Sequence, residues 1–178
     1  MINTLITSKT RIKLLFKFFL GNNSISYLRN LEQEFGESTN AIRLELNRFE
    51  KSGLLLSWNE SNRKMYKANP DHPMYSILQK IVYKELNIYP VVNIEVLTSL
   101  GISRLYIVGD FNDGITNYIK KLIFVSQNPK RNGEDKELVQ ELMLQENNFK
   151  YEIVTREEFI IFNSKLTSGK PVLIWKTE

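Results

Sequence analysis

Hydrophobic positions along this chain fall into helical stripes interrupted by short strand-like runs. In SKTRIKLLFKFFLG, Ile12, Leu15, Phe16 and Phe19 recur at i, i+3, i+4 and i+7, so they share one helix face. Ser8 stands before the run as an N-cap and Gly21 after it as a stop. Ser24-Ile25-Ser26 predicts a strand stub, and Leu28, Leu31 and Phe35 mark a brief second helix ending at Gly36. Ser38 then heads STNAIRLELNRFEKSG, in which Ile42, Leu46 and Phe49 point inward and Gly53 closes the helix. Asn40, Arg43 and Asn47 lie on the opposite face, joined by Thr39 and Arg48. In LLLSWNESNRKMYKAN, runs from Leu54 to Trp58 and from Lys64 to Ala68 flank a polar tip at Asn59 to Arg63, which predicts a hairpin.

Prolines bound the next segment, PDHPMYSILQKIVYKELNIYP, on both sides and predict a connecting helix. Its stripe of Met74, Ile77, Leu78, Ile81 and Val82 requires a cover, either the chain's own second half or the same helix of a second copy. His72 sits in an Asp-His-Pro turn and is expected to make local hydrogen bonds only. Beyond this point, VVNIEVLTSLGIS predicts a short helix ending at Gly101, and RLYIVG a strand that runs into the turn GDFNDG. YIKKLIFV follows as a strand, SQNPKRNGE as a loop, and EDKELVQELMLQE as a helix with Leu138, Leu142 and Leu144 for packing. FKYEIVT, REEFIIFNSKLTSG and KPVLIWK then predict strand, helix and strand. This alternation is that of a small α/β domain. The expected division is 1–72, a connector over 73–90, and 91–178.

Charge separates the two halves. The net charge is +4, but residues 1–69 hold 11 Lys and Arg against 6 Asp and Glu, while the remainder holds 13 against 14. The basic half is the one to read for nucleic acid. The chain has no Cys and one His, which leaves no thiolate metal site and no all-His site within one chain. Lys9, Arg11, Lys13 and Lys17 punctuate the first apolar run, so neither a signal peptide nor a membrane span is expected there, and the expected location is the cytoplasm.

Three helices followed by a hairpin, with STNAIRLELNRFEKSGLL and NRKMYKANPDHPMY at their centre, resemble bacterial winged helix-turn-helix regulators of the ArsR-like kind over residues 8 to 75. The resemblance implies that the third helix enters the major groove of double-stranded DNA and the hairpin lies along the backbone. Side-chain chemistry agrees with that placement. Arg43 suits a bidentate contact to guanine, and Asn40 or Asn47 the same to adenine. Arg63, Lys64 and Lys67, with Lys9 or Arg11, suit phosphates. Glu45 and Glu50 on the same helix oppose an anionic partner. The metal sensing that part of this group performs with Cys and His is not available here.

Residues 92 to 176 resemble the minimal nucleotidyltransferases in element order, with LYIVGDFNDG at the place of the Gly-Ser loop and NYIKKLIFV at that of the strand bearing Asp-x-Asp. The family's glycines fall on Gly109 and Gly114 and its serine on Asp110, but its two aspartates fall on Tyr118 and Lys120. Alternate strand residues share a face, which is how two such carboxylates hold a divalent ion against nucleotide phosphates. Without them the domain is expected to be catalytically inactive, with no metal and no cofactor. Asp110 and Asp113 read as turn residues, and Glu152 is the one acidic residue near the place of the family's third carboxylate. Two uses of the loop stay open: Gly109, Gly114 and Lys120 bind an anion, or the lysines keep a hairpin soluble.

The expectation is therefore an α/β (α+β) protein in which a winged helix, a helical connector and a degenerate nucleotidyltransferase-like domain follow one another. It would regulate transcription on double-stranded DNA, as a homodimer whose symmetry suits half-sites. The second domain would supply dimer contacts, a response to a nucleotide or other ligand, or a protein partner surface. The alternatives are a nucleotidyltransferase with an atypical site and an antitoxin-like interaction module.

Overall fold

The computed structural model describes residues 2–21, 23–88, 94–110, 118–127, 149–165 and 171–177, and for residues 94, 110 and 118–120 the backbone alone. The predicted helix carrying Leu138, Leu142 and Leu144, most of the preceding loop, and Asp113 and Gly114 lie outside these residues. The fold is mixed α and β, with two separate sheets among the described residues. Its described residues divide into two compact units, one ending at Glu85 and the other beginning at Leu86.

The first unit runs α1 (Ile2–Leu5), α2 (Lys9–Phe19), β1 (Ile25–Tyr27), α3 (Leu28–Phe35), α4 (Thr39–Lys51), β2 (Leu55–Glu60), β3 (Arg63–Ala68) and α5 (Tyr75–Glu85). Ser8 caps α2 by accepting from the Arg11 N–H at 3.3 Å, and the helix forms the centre of the core. It packs against α4, β3 and α5, so Leu14 and Phe18 are buried along with the predicted stripe. Phe19 meets Tyr75 of α5 with ring centroids 5.8 Å apart. The connecting helix thus packs within the first unit.

The turn between α3 and α4 is fixed by chemistry on both sides. Gly36 ends α3 with φ of 62°, a left-handed conformation that glycine adopts without a Cβ penalty. Ser38 accepts from the Ala41 N–H at 3.2 Å and starts α4. From α2, Thr10 donates to the Glu37 carboxylate at 2.7 Å, and Lys13 reaches both that carboxylate at 3.0 Å and the Phe35 carbonyl at 2.8 Å. Lys17 closes on Glu34 at 2.6 Å. The α3–α4 corner is thereby tied to the core helix.

β1, β3 and β2 form an antiparallel sheet in that order. The hairpin is tighter than the sequence suggests. Its strands continue through Glu60 and from Arg63, so the tip is the two-residue turn Ser61-Asn62 instead of the five residues expected. Ser61 adopts φ of 53°, the positive value that lets two-residue turns match the twist of their strands. His72 is a local hydrogen-bonding residue, its Nδ1 accepting from the Met74 N–H at 3.1 Å. On the connector, Val82 and Tyr83 are buried, but Met74, Ile77 and Ile81 are 42%, 46% and 38% exposed. Among the described residues the stripe is covered in part: Val82 is buried, while Met74, Ile77 and Ile81 stay exposed.

The second unit is a four-stranded sheet in the order β6-β5-β4-β7, with β4 (Ile102–Asp110), β5 (Tyr118–Ser126), β6 (Tyr151–Val154) and β7 (Val172–Lys176). β5 pairs antiparallel with β4 and parallel with β6. Leu122, Ile123, Phe124 and Val125 are all buried, so both faces of this central strand are covered. Its helices among the described residues are α6 (Ile94–Ser99) and α7 (Arg156–Lys165). Thr155 and Glu158 form a reciprocal capping box at the start of α7, and Phe159 stacks on Tyr106 of β4 at 4.1 Å.

Candidate nucleic-acid interface

Burial of Ile42, Leu46 and Phe49 turns the opposite side of α4 outward, leaving Asn40, Arg43 and Asn47 exposed. Arg43 and Asn47 line an open cleft of about 700 Å³ between α4, the start of α3, and the hairpin. Arg29 and Gln33 enter it from α3, Tyr27 from β1, and Arg63, Lys64 and Tyr66 from the hairpin. Four of its residues are cationic and none is acidic. Arg29, Arg43 and Arg63 take part in no ion pair among the described residues.

The two acidic residues of α4 are paired with cations and neither lines the cleft. Glu45 is only 4% exposed and points inward, where Arg11 meets one oxygen at 2.9 Å and Arg48 the other at 2.7 Å. Burial pushes its pKa up most strongly, but the hydrogen bond and charge of Arg11, with those of Arg48, outweigh that and hold it below the usual carboxylate value. Glu50 is held by Lys64 at 2.7 Å and by the Ser57 hydroxyl, which straps the hairpin to α4. The Lys64 hydrogen bond, then that of Ser57, depress its pKa. Burial is the chief cause that raises the pKa of the Tyr66 phenol above its ordinary value, with the nearby charges of Lys64 and Arg43 pulling the other way.

Of the residues expected to meet DNA, the structure brings Arg43, Asn47, Arg63 and Lys64 together in the cleft. Thr39 and Asn40 stand at the first turn of α4, outside the lining. Arg48 and Arg11 share Glu45, and Lys9 is exposed at the start of α2. Lys67 falls in the cross-strand row Ile25, Lys67, Leu56, away from the turn, and outside the lining; Arg63 shares its strand parity but reaches the cleft from beside the turn. Arg29, Tyr27 and Gln33 were not singled out by the sequence. The available signal was the outward position of Arg29 and Gln33 relative to Leu28, Leu31 and Phe35.

In the second unit, Gly109 lies at a β-bulge: Val108 pairs with Lys121 and Gly109 with Ile119, so Lys120 is the extra residue. Gly114 lies outside the described residues, and of Lys120 only the backbone is described. Tyr118 pairs with Asp110 across β4 and β5. Glu152 is engaged by Lys121 at 2.5 Å, and the Lys121 ammonium lies 5.5 Å from the Phe162 ring centroid. Among the described residues, no group of three or more His, Cys, Asp or Glu is arranged to hold a metal ion, and no helix is long and apolar enough to cross a membrane. No protein-family model, curated protein or solved structure matches the chain.

Proposed function

We propose that the first unit is a winged helix-turn-helix that binds double-stranded DNA and that the chain is a cytoplasmic transcriptional regulator acting as a homodimer. The observation that carries this reading is the acid-free cleft, which unites Arg43 and Asn47 of α4 with Arg63 and Lys64 of the hairpin. In it, α4 is the helix that reads base edges, with Arg43 suited to guanine and Asn47 to adenine. The burial of Glu45 between Arg11 and Arg48 and the pairing of Glu50 with Lys64 support the reading, since each carboxylate that would repel phosphate is matched by a cation within the protein. The exposed row of Met74, Ile77 and Ile81 on one side of the connector supplies the surface for a second copy.

The second unit is, in this proposal, a nucleotidyltransferase-like domain without nucleotidyl transfer, serving dimerisation, ligand response or partner binding. Tyr118 and Lys120, not carboxylates, occupy β5 where the resemblance places the metal ligands. Magnesium-dependent release of pyrophosphate from a nucleoside triphosphate would overturn this part. The DNA reading is tested by anisotropy of a labelled duplex. Binding is expected to weaken steeply between about 50 and 200 mM salt and to fall further on Arg43→Ala, and a chain that retains no duplex at low salt contradicts it.

A further inference from the structure

Resting on that reading, we propose that Arg29 and Arg63 hold the phosphates of a DNA strand at the α3 and β1 side of the cleft, and that Tyr27 is the positioning residue that aims Arg63. A helix that reads base edges needs phosphate contacts on its flanks to fix its register on the duplex. Most of the cations expected to make them are already engaged elsewhere. Arg11 and Arg48 sit on Glu45 and Lys64 on Glu50, and Lys67 lies outside the lining of the cleft. Arg29 and Arg63 line the cleft and enter no ion pair among the described residues.

Their placement has a structural cause. Arg63 opens β3 directly after the two-residue turn, a position where a long side chain would sample many rotamers. Its guanidinium instead lies 4.7 Å from the centroid of the Tyr27 ring, a cation–π contact that restricts it without consuming its charge. Tyr27 is held in turn by pairing with Met65 at the end of β1. The chain passes from Tyr27 straight into α3, so the ring that aims Arg63 and the Arg29 side chain lie two residues apart on one ordered segment. A carboxylate in place of Tyr27 would hold Arg63 too, but would cancel the charge that the phosphate needs.

The test is the salt dependence of binding by the full chain to a labelled, mixed-sequence duplex, plotted as log affinity against log salt. Arg29→Ala and Arg63→Ala are each expected to flatten the slope by about 0.9, the value for one lost phosphate contact, while Arg63→Lys keeps the wild-type slope. Tyr27→Leu is expected to weaken binding and Tyr27→Phe, which retains the ring, to leave it unchanged. The double variant Tyr27→Leu/Arg63→Ala is expected to bind no more weakly than Arg63→Ala alone. Wild-type slopes in both alanine variants, with binding otherwise steep in salt, would overturn the phosphate assignment and leave DNA binding standing. Additive losses in the double variant would overturn the role of Tyr27, and absence of duplex binding by the wild-type chain would remove the reading beneath both.

Discussion

Glu45 is a carboxylate nearly out of water, with a guanidinium on each oxygen. Removing it strands two arginines that are themselves partly solvated, so Glu45→Gln is expected to lower the unfolding free energy by about 1–3 kcal/mol, measured by urea denaturation. The pH dependence follows from the depressed folded-state pKa. Above the unfolded carboxylate value, about 4.3, its contribution is complete, and as pH falls below that value and through the lower folded pKa it is lost. Glu37, whose pKa is lowered chiefly by the Thr10 hydrogen bond, and Glu50 act in the same direction. Stability is therefore expected to drop on acidification from about pH 5 towards pH 3, less steeply in Glu45→Gln. Equal steepness in the two proteins would show that Glu45 carries none of this dependence. On sequence alone, Glu45 and Glu50 argued against an anionic partner, because which way a helical carboxylate points depends on Arg11 and Lys64, far away in the chain.

Between α3 and α4, geometry rests on Gly36 and Ser38. A Cβ on Gly36 would meet nothing within 4 Å, so the cost of Gly36→Ala is that of the left-handed backbone, about 1–2 kcal/mol. Ser38→Ala removes the cap of α4 and is expected to cost about 1 kcal/mol. Both are measured as shifts in urea midpoint, and a neutral Gly36→Ala would contradict the strain argument. Such elements were legible because caps and stripes are local: Ser8, Ser38 and Gly36 announce their roles by residue type. The hairpin tip was not, since a positive φ at Ser61 is no preference of serine and arises from the twist of the paired strands. Burial of Leu14 and Phe18 was equally hidden, because it depends on how other elements pack around α2. For the site, the face of α4 could be read from its period, and Arg43 and Asn47 were found that way. Tyr27 and Arg29 join them only through the folding of β1 and α3 against the hairpin.

Taken as a whole, the molecule has an apolar row on α5 and a basic cleft in the same unit, the two features a dimeric reader of DNA half-sites requires. Sedimentation of the wild-type chain is expected to give a dimer and Ile77→Glu a monomer, and a monomeric wild type would contradict the proposed symmetry. Arg43 and its neighbours in the cleft are proposed to read DNA sequence. The most direct test is selection of bound duplexes from a randomised pool by the wild-type chain and by Arg43→Ala in parallel. The expected result is an enriched sequence, with half-sites about 34 Å or a multiple apart, containing a guanine whose enrichment disappears in Arg43→Ala. No enrichment by the wild-type chain, or the same sequence enriched by both proteins, would contradict it.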